Sequence, residues 1–89
     1  MSGDGPGRVV LYTRAGCHLC DAARATVLEV TAATGTGWAE VDIDTAEDAP
    51  ALVEAYGELV PVVTVDGVRQ GYWRVDAGRL RRALAGGTG

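Results

Sequence analysis

The run "RVVLYT" (8–13) packs β-branched and aromatic residues together without clean alternation, the pattern of a strand covered on both faces. Over 17–33 the spacing changes. Leu19, Ala22, Ala23, Val27 and Val30 recur at helical intervals, while Asp21, Arg24 and Glu29 fall largely elsewhere on the wheel. "TGTG" (34–37) ends that helix, and "WAEVDI" (38–43) alternates, with Ala39, Val41 and Ile43 on one side. Thr45 followed by Asp48 resembles a capping box closed by Asp, opening a short helix with Pro50 in its first turn and Gly57 as its stop.

"VPVVTV" and "VRQGYW" flank Asp66-Gly67, a two-residue hairpin signal between apolar runs. Asp76 is placed to cap a last helix, 77–85, anchored by Leu80 and Leu84. The predicted order is β-α-β-α-β-β-α, which implies a parallel pair with a right-handed crossover and an antiparallel hairpin at the edge. One α/β domain spans 8–85, and the Gly-rich stretches at 1–7 and 86–89 are expected to be frayed ends.

Eighty-nine residues make a single domain. No apolar run approaches the roughly 20 residues a membrane span needs. The first eight residues lack the apolar stretch of a signal peptide, so cytoplasmic residence is the expectation. A net charge of −4 argues against nucleic acid or an anionic membrane as partner. The charge is unevenly spread: residues 1–60 hold ten acids and three arginines, a balance of −7, and residues 61–89 hold two acids and five arginines, a balance of +3.

Chemistry concentrates in "LYTRAGCHLCD" (11–21), which holds both cysteines, Cys17 and Cys20, and the single histidine, His18. A structural zinc site wants four protein ligands, and two Cys with one His inside a helical turn cannot close one except across a dimer. A structural disulfide here would close a short loop, where entropic stabilisation is smallest. Redox chemistry fits better. Residues three apart within a helix have Cβ atoms about 5–6 Å apart, whereas a disulfide wants about 3.5–4.5 Å. At a helix start the first cysteine can leave helical geometry and the gap can close. Gly16 after a buried strand puts Cys17 at such a start, where free N–H groups and the helix dipole favour a thiolate. Cys17 is therefore the candidate nucleophile and Cys20 the resolving thiol. Arg14 could add positive charge, and Arg24 could offset Asp21. His18 is read as facing solvent, Trp38 as packing at a strand end, and Tyr72 and Trp73 as ending the hairpin near the site.

The strand, "CHLC" at a helix start, and "VP" before the Asp-Gly hairpin together resemble the glutaredoxin-like branch of the thioredoxin superfamily. The likeness covers about 8–85 and is carried by "LYTRAGCHLC" and "YGELVPVVTVDG". It implies a thioredoxin-like fold, with a four-stranded mixed sheet, helices on both faces and a dithiol site at one end. The activity implied is dithiol–disulfide exchange through Cys17 and Cys20 by a monomer with no bound cofactor. Substrates would be disulfide-containing proteins or small-thiol mixed disulfides. The reductant would be glutathione, another low-molecular-weight thiol or a protein. The resemblance also implies a cis Val60-Pro61 peptide facing Cys17, with Val60 backbone groups pairing with a substrate chain. Arg14 and Asp76 stand where the family contacts a thiol tripeptide, although Asp76 serves equally as a helix cap. Gly71 is followed by Tyr72 where the family has a second Gly. Two alternatives of other classes are an iron–sulfur carrier built from Cys17 of two protomers, and an interaction module with idle cysteines.

Overall fold

A computed structural model describes residues 8–86. The expected order is found: β1 (Val9–Thr13), α1 (His18–Thr34), β2 (Trp38–Asp42), α2 (Ala49–Tyr56), β3 (Val62–Val65), β4 (Val68–Tyr72) and α3 (Ala77–Gly86). The ends read as frayed, 1–7 and 87–89, lie outside the described residues. Gly86, assigned to the tail, instead closes α3. The sheet order is β2-β1-β3-β4. β1 runs parallel to β2 and antiparallel to β3, and β3 is antiparallel to β4.

The two inner strands explain the missing alternation. β3 is buried at every position, and in β1 Val9, Leu11 and Thr13 are buried while Val10 and Tyr12 are half-buried. Val9 lies opposite Val65 and Leu11 opposite Val63. These four form one core with Ala23, Val27 and Val30 of α1 and Leu80 and Leu84 of α3. The intervening Tyr12 meets Tyr56 of α2 with ring centroids 4.9 Å apart, so helices cover both faces. Trp38 packs on the rim of the core, as read from the sequence.

Two turns follow their sequences closely. Asp66 and Gly67 take φ of 53° and 84°, the paired positive values a two-residue hairpin demands. Asp76 caps α3, its Oδ1 accepting from the N–H groups of Gly78 at 2.8 Å and Arg79 at 3.2 Å.

Three expectations need correction. The buried stripe of α1 is Cys20, Ala23, Val27, Val30 and Thr31, and Leu19 stands 41% exposed. Cys20 falls three and seven residues before Ala23 and Val27, so it takes the place assigned to Leu19, which lies about 100° round the helix. The N-cap of α2 is Asp48, not Thr45. A start at Thr45 would carry Pro50 into the helix interior, where its ring would clash with the preceding turn. Strand β2 ends at Asp42, and Ile43, read as its last inward position, is fully buried just beyond it.

Candidate active site

The chain leaves β1 at Thr13 and turns through Arg14–Gly16 into α1. Gly16 sits at φ +80° with open space around a would-be Cβ, so backbone conformation rather than room demands glycine. Cys17 follows as the N-cap of α1 in an extended conformation, φ −90° and ψ 110°. Its side chain makes no capping hydrogen bond, so it does not occupy the N–H groups of the first turn. The Cys20 N–H reaches back to the Cys17 carbonyl at 3.3 Å.

The two sulfurs differ sharply in environment. Both thiols are free, with Cys17 half-buried and Cys20 buried at 2% exposure. Burial first, and then hydrogen bonding with the Cys17 sulfur, push the Cys20 thiol up to about 11. The Arg14 backbone and the charge of Arg24 act in the opposite sense. Cys20 is therefore a protonated, sheltered thiol at neutral pH, and Cys17 is the accessible sulfur. They share a groove of about 270 Å³ with Arg14, His18, Asp21 and Arg24, and His18 faces solvent as expected.

Arg24 organises the polar side of this groove. Its guanidinium pairs bidentately with Glu40, both bonds 2.7 Å, and reaches Asp21 at 3.0 Å. The Thr13 hydroxyl donates to the same Glu40 at 2.9 Å. Arg24 above all, and Thr13 after it, hold the Glu40 carboxyl below its usual range against the opposing effect of burial. The Asp21 contact was readable as an i, i+3 pair. Glu40 was missed, because only the parallel pairing of β1 with β2 brings it beside Thr13.

The remaining sequence-derived site residues are partly committed elsewhere. The Arg14 guanidinium forms two bonds to Asp44, at 2.9 and 2.8 Å, and one to the Gly57 carbonyl at 3.2 Å. The cation whose charge acts on the Cys20 sulfur is thus Arg24, while the Arg14 side chain straps the site to the end of α2. The Val60-Pro61 peptide is cis. The Val60 N–H is bonded to the Tyr56 carbonyl at 3.1 Å, so only one of its two backbone groups is left for an added strand. One oxygen of the Asp76 carboxylate, Oδ1, accepts both capping bonds, and Oδ2 makes none. Among the described residues no group of three or more His, Cys, Asp or Glu is placed to hold a metal ion, and no helix is long and apolar enough to cross a membrane.

A mixed four-stranded sheet with helices on both faces, and a Cys-x-x-Cys opening the first helix, defines a thioredoxin-like α/β fold. Oxidized glutaredoxin 2 of Chlamydomonas reinhardtii shares that fold, with a TM-score of 0.53 at 22% identity over 92% of this chain and 75% of that one. Residues 8–85 match the family model described as glutaredoxin-like domain (DUF836), and the chain belongs to that family. Among its relatives is an uncharacterized protein of Mycobacterium tuberculosis, 36% identical over 83 residues that cover 91% of this chain and 86% of the relative. The X-ray structure of the structural-genomics target protein XcR50 from X. campestris is similar, with a TM-score of 0.66 and 36% identity over 86% of this chain and 95% of that one.

Proposed function

We propose that this protein is a dithiol–disulfide oxidoreductase acting through Cys17 and Cys20. The observation that carries this reading is the division of labour between the sulfurs. One stands at a helix N-terminus in an open groove, and the other lies buried and protonated one turn on. The Cys17 thiolate attacks a substrate disulfide, forming a mixed disulfide and releasing the first substrate sulfur as a thiolate that takes a proton from solvent. Cys20 then gives its proton to solvent and attacks the Cys17 sulfur. The second substrate sulfur leaves, and a Cys17–Cys20 bond remains. The substrate gains two electrons and two protons, and an external thiol or a protein dithiol restores the reduced site.

Burial of Cys20 suits this order of events. A protonated resolving thiol does not compete with Cys17 for the incoming disulfide, and it becomes useful only when the mixed disulfide brings a target sulfur beside it. The test is trapping. A Cys20→Ser variant should accumulate mixed disulfides on Cys17, and a Cys17→Ser variant should accumulate none. Failure of both variants to trap substrates, with the wild type inert toward disulfides, rejects the reading.

A further inference from the structure

Beside the thiols lies a second groove, of about 390 Å³, whose occupant the polar site does not explain. Leu19, Ala22, Ala23 and Thr26 form one wall, at the i, i+3, i+4, i+7 spacing of a single helix face, and residues 73–75 form the other. Leu19 lies between the two cysteines in the chain, so the groove opens in the same helical turn as Cys20.

The apolar residues around it are unusual in being left to solvent. Five large hydrophobic residues stand exposed among the described residues, and three of them gather here: Leu19 at 41%, Tyr72 at 44% and Trp73 at 52%. Tyr72 belongs to this cluster because its ring meets the Trp73 ring edge-on, with centroids 5.2 Å apart. Exposed apolar side chains are ordinarily scattered, and a cluster on the helix that carries the Cys-x-x-Cys pair marks a contact surface.

Trp73 is also held there against its conformational preference. Its φ of +65° is one that bulky L-residues rarely adopt. Three hydrogen bonds fix it: its N–H to the carbonyls of Leu59 at 3.1 Å and Pro61 at 2.9 Å, and its indole N–H to the Glu58 carbonyl at 2.9 Å. The fold thus maintains an unfavourable backbone at a residue that lines the groove.

Charge narrows the occupant further. Arg74 is the one charged residue lining this groove, and like Arg69, Arg79, Arg81 and Arg82 it makes no ion pair among the described residues, so what distinguishes it is its place in the lining. Of the polar anchors a thiol tripeptide would need, Arg14 is committed to Asp44 and the Gly57 carbonyl, and Asp76 spends one carboxylate oxygen on the α3 cap.

Resting on the oxidoreductase reading above, we infer that this groove selects polypeptide disulfides in which a large apolar side chain and a carboxylate flank the reacting cysteine. Trp73 and Leu19 grip the apolar group, and Arg74 pairs with the carboxylate.

The test is an exchange equilibrium that needs no turnover. Cys20→Ser protein carrying glutathione on Cys17 is mixed with a short cysteine peptide. The peptide thiolate attacks the Cys17 sulfur and glutathione leaves, and mass spectrometry gives the ratio of adducts. Four peptides cross the two flanks of the cysteine, phenylalanine or serine on one side with aspartate or lysine on the other. Each constant is divided by the same peptide's exchange with glutathione disulfide in free solution, which removes its intrinsic thiol reactivity.

Phenylalanine should be favoured over serine by about tenfold or more, as expected for partial burial of one aromatic side chain, and aspartate over lysine. Trp73→Ala and Leu19→Ser should each collapse the phenylalanine-to-serine ratio toward one, Trp73→Phe should keep it, and Arg74→Glu should reverse the preference for aspartate over lysine. General damage to the fold would move all four peptides together and leave the ratios standing. Equal constants for all four peptides on the unsubstituted groove would overturn the inference while leaving Cys17 chemistry intact. Absence of any exchange at Cys17 would overturn the oxidoreductase reading and the inference with it.

Discussion

Alkaline pH should strip stability from the reduced protein in a window set by Cys20. The thiol rises from 9.0 to about 11 on folding, chiefly because it is buried. Between those values the unfolded chain has released the proton and the folded chain still holds it. The unfolded state then binds fewer protons, so stability falls as pH rises through the window, and it is unaffected below the lower value. Two units at about 1.4 kcal/mol each set the total at about 3 kcal/mol. Tyr12, also raised by burial, adds a slope of the same sign above pH 10, but it is present with or without Cys20 and cancels in a difference. Urea unfolding of reduced wild type and Cys20→Ala from pH 7 to 11 isolates the thiol. The advantage of wild type over the variant should stay nearly level to about pH 9 and then shrink by about 2 kcal/mol by pH 11. A constant difference across the whole range would mean that Cys20 is not the sheltered, protonated sulfur, and the assignment of attacking and resolving roles would fail with it.

Gly16→Ala should cost about 1–2 kcal/mol in urea unfolding, because φ +80° is left-handed and no contact compensates; Gly16→Asn should cost less. Asp76→Ala should lower stability by about 1 kcal/mol through loss of the α3 cap, and Asp76→Ser should restore most of it. Arg24→Met should cost about 0.5–1 kcal/mol at neutral pH, a value kept small because the pair is partly exposed and screened. The Glu40 carboxyl is depressed, so its share of stability is present above the ordinary value of 4.5 and is lost as pH falls through the folded value. The gap between wild type and Arg24→Met should therefore close in acid, and a gap that persists or widens there would exclude the Arg24–Glu40 pair as its source.

What could be read from the chain and what could not divide along a physical line. Gly16, Asp66-Gly67, Asp76 and the Leu80–Leu84 pair act within a few residues of themselves, and each does what its local chemistry dictates. In α1, Ala23, Val27 and Val30 go inside as their spacing predicts, while Leu19 and Ala22 stay exposed, because contact with the sheet decides that Cys20 rather than Leu19 opens the buried stripe. Arg14 and Arg24 find their partners, Asp44 and Glu40, thirty and sixteen residues away, through a strand register that periodicity does not specify. The consequence is an exchange of roles at the site. Arg14, which a linear reading gives to a substrate, is spent on Asp44 and the Gly57 carbonyl, and an apolar residue given to the core is left facing solvent beside the sulfurs. If binding affinity here comes from groups that folding has not already satisfied, it must come from the Leu19–Trp73 groove and the uncommitted Arg74 rather than from the paired cations. The recognition chemistry of this glutaredoxin-like protein then has to be sought on the apolar side of its first helix.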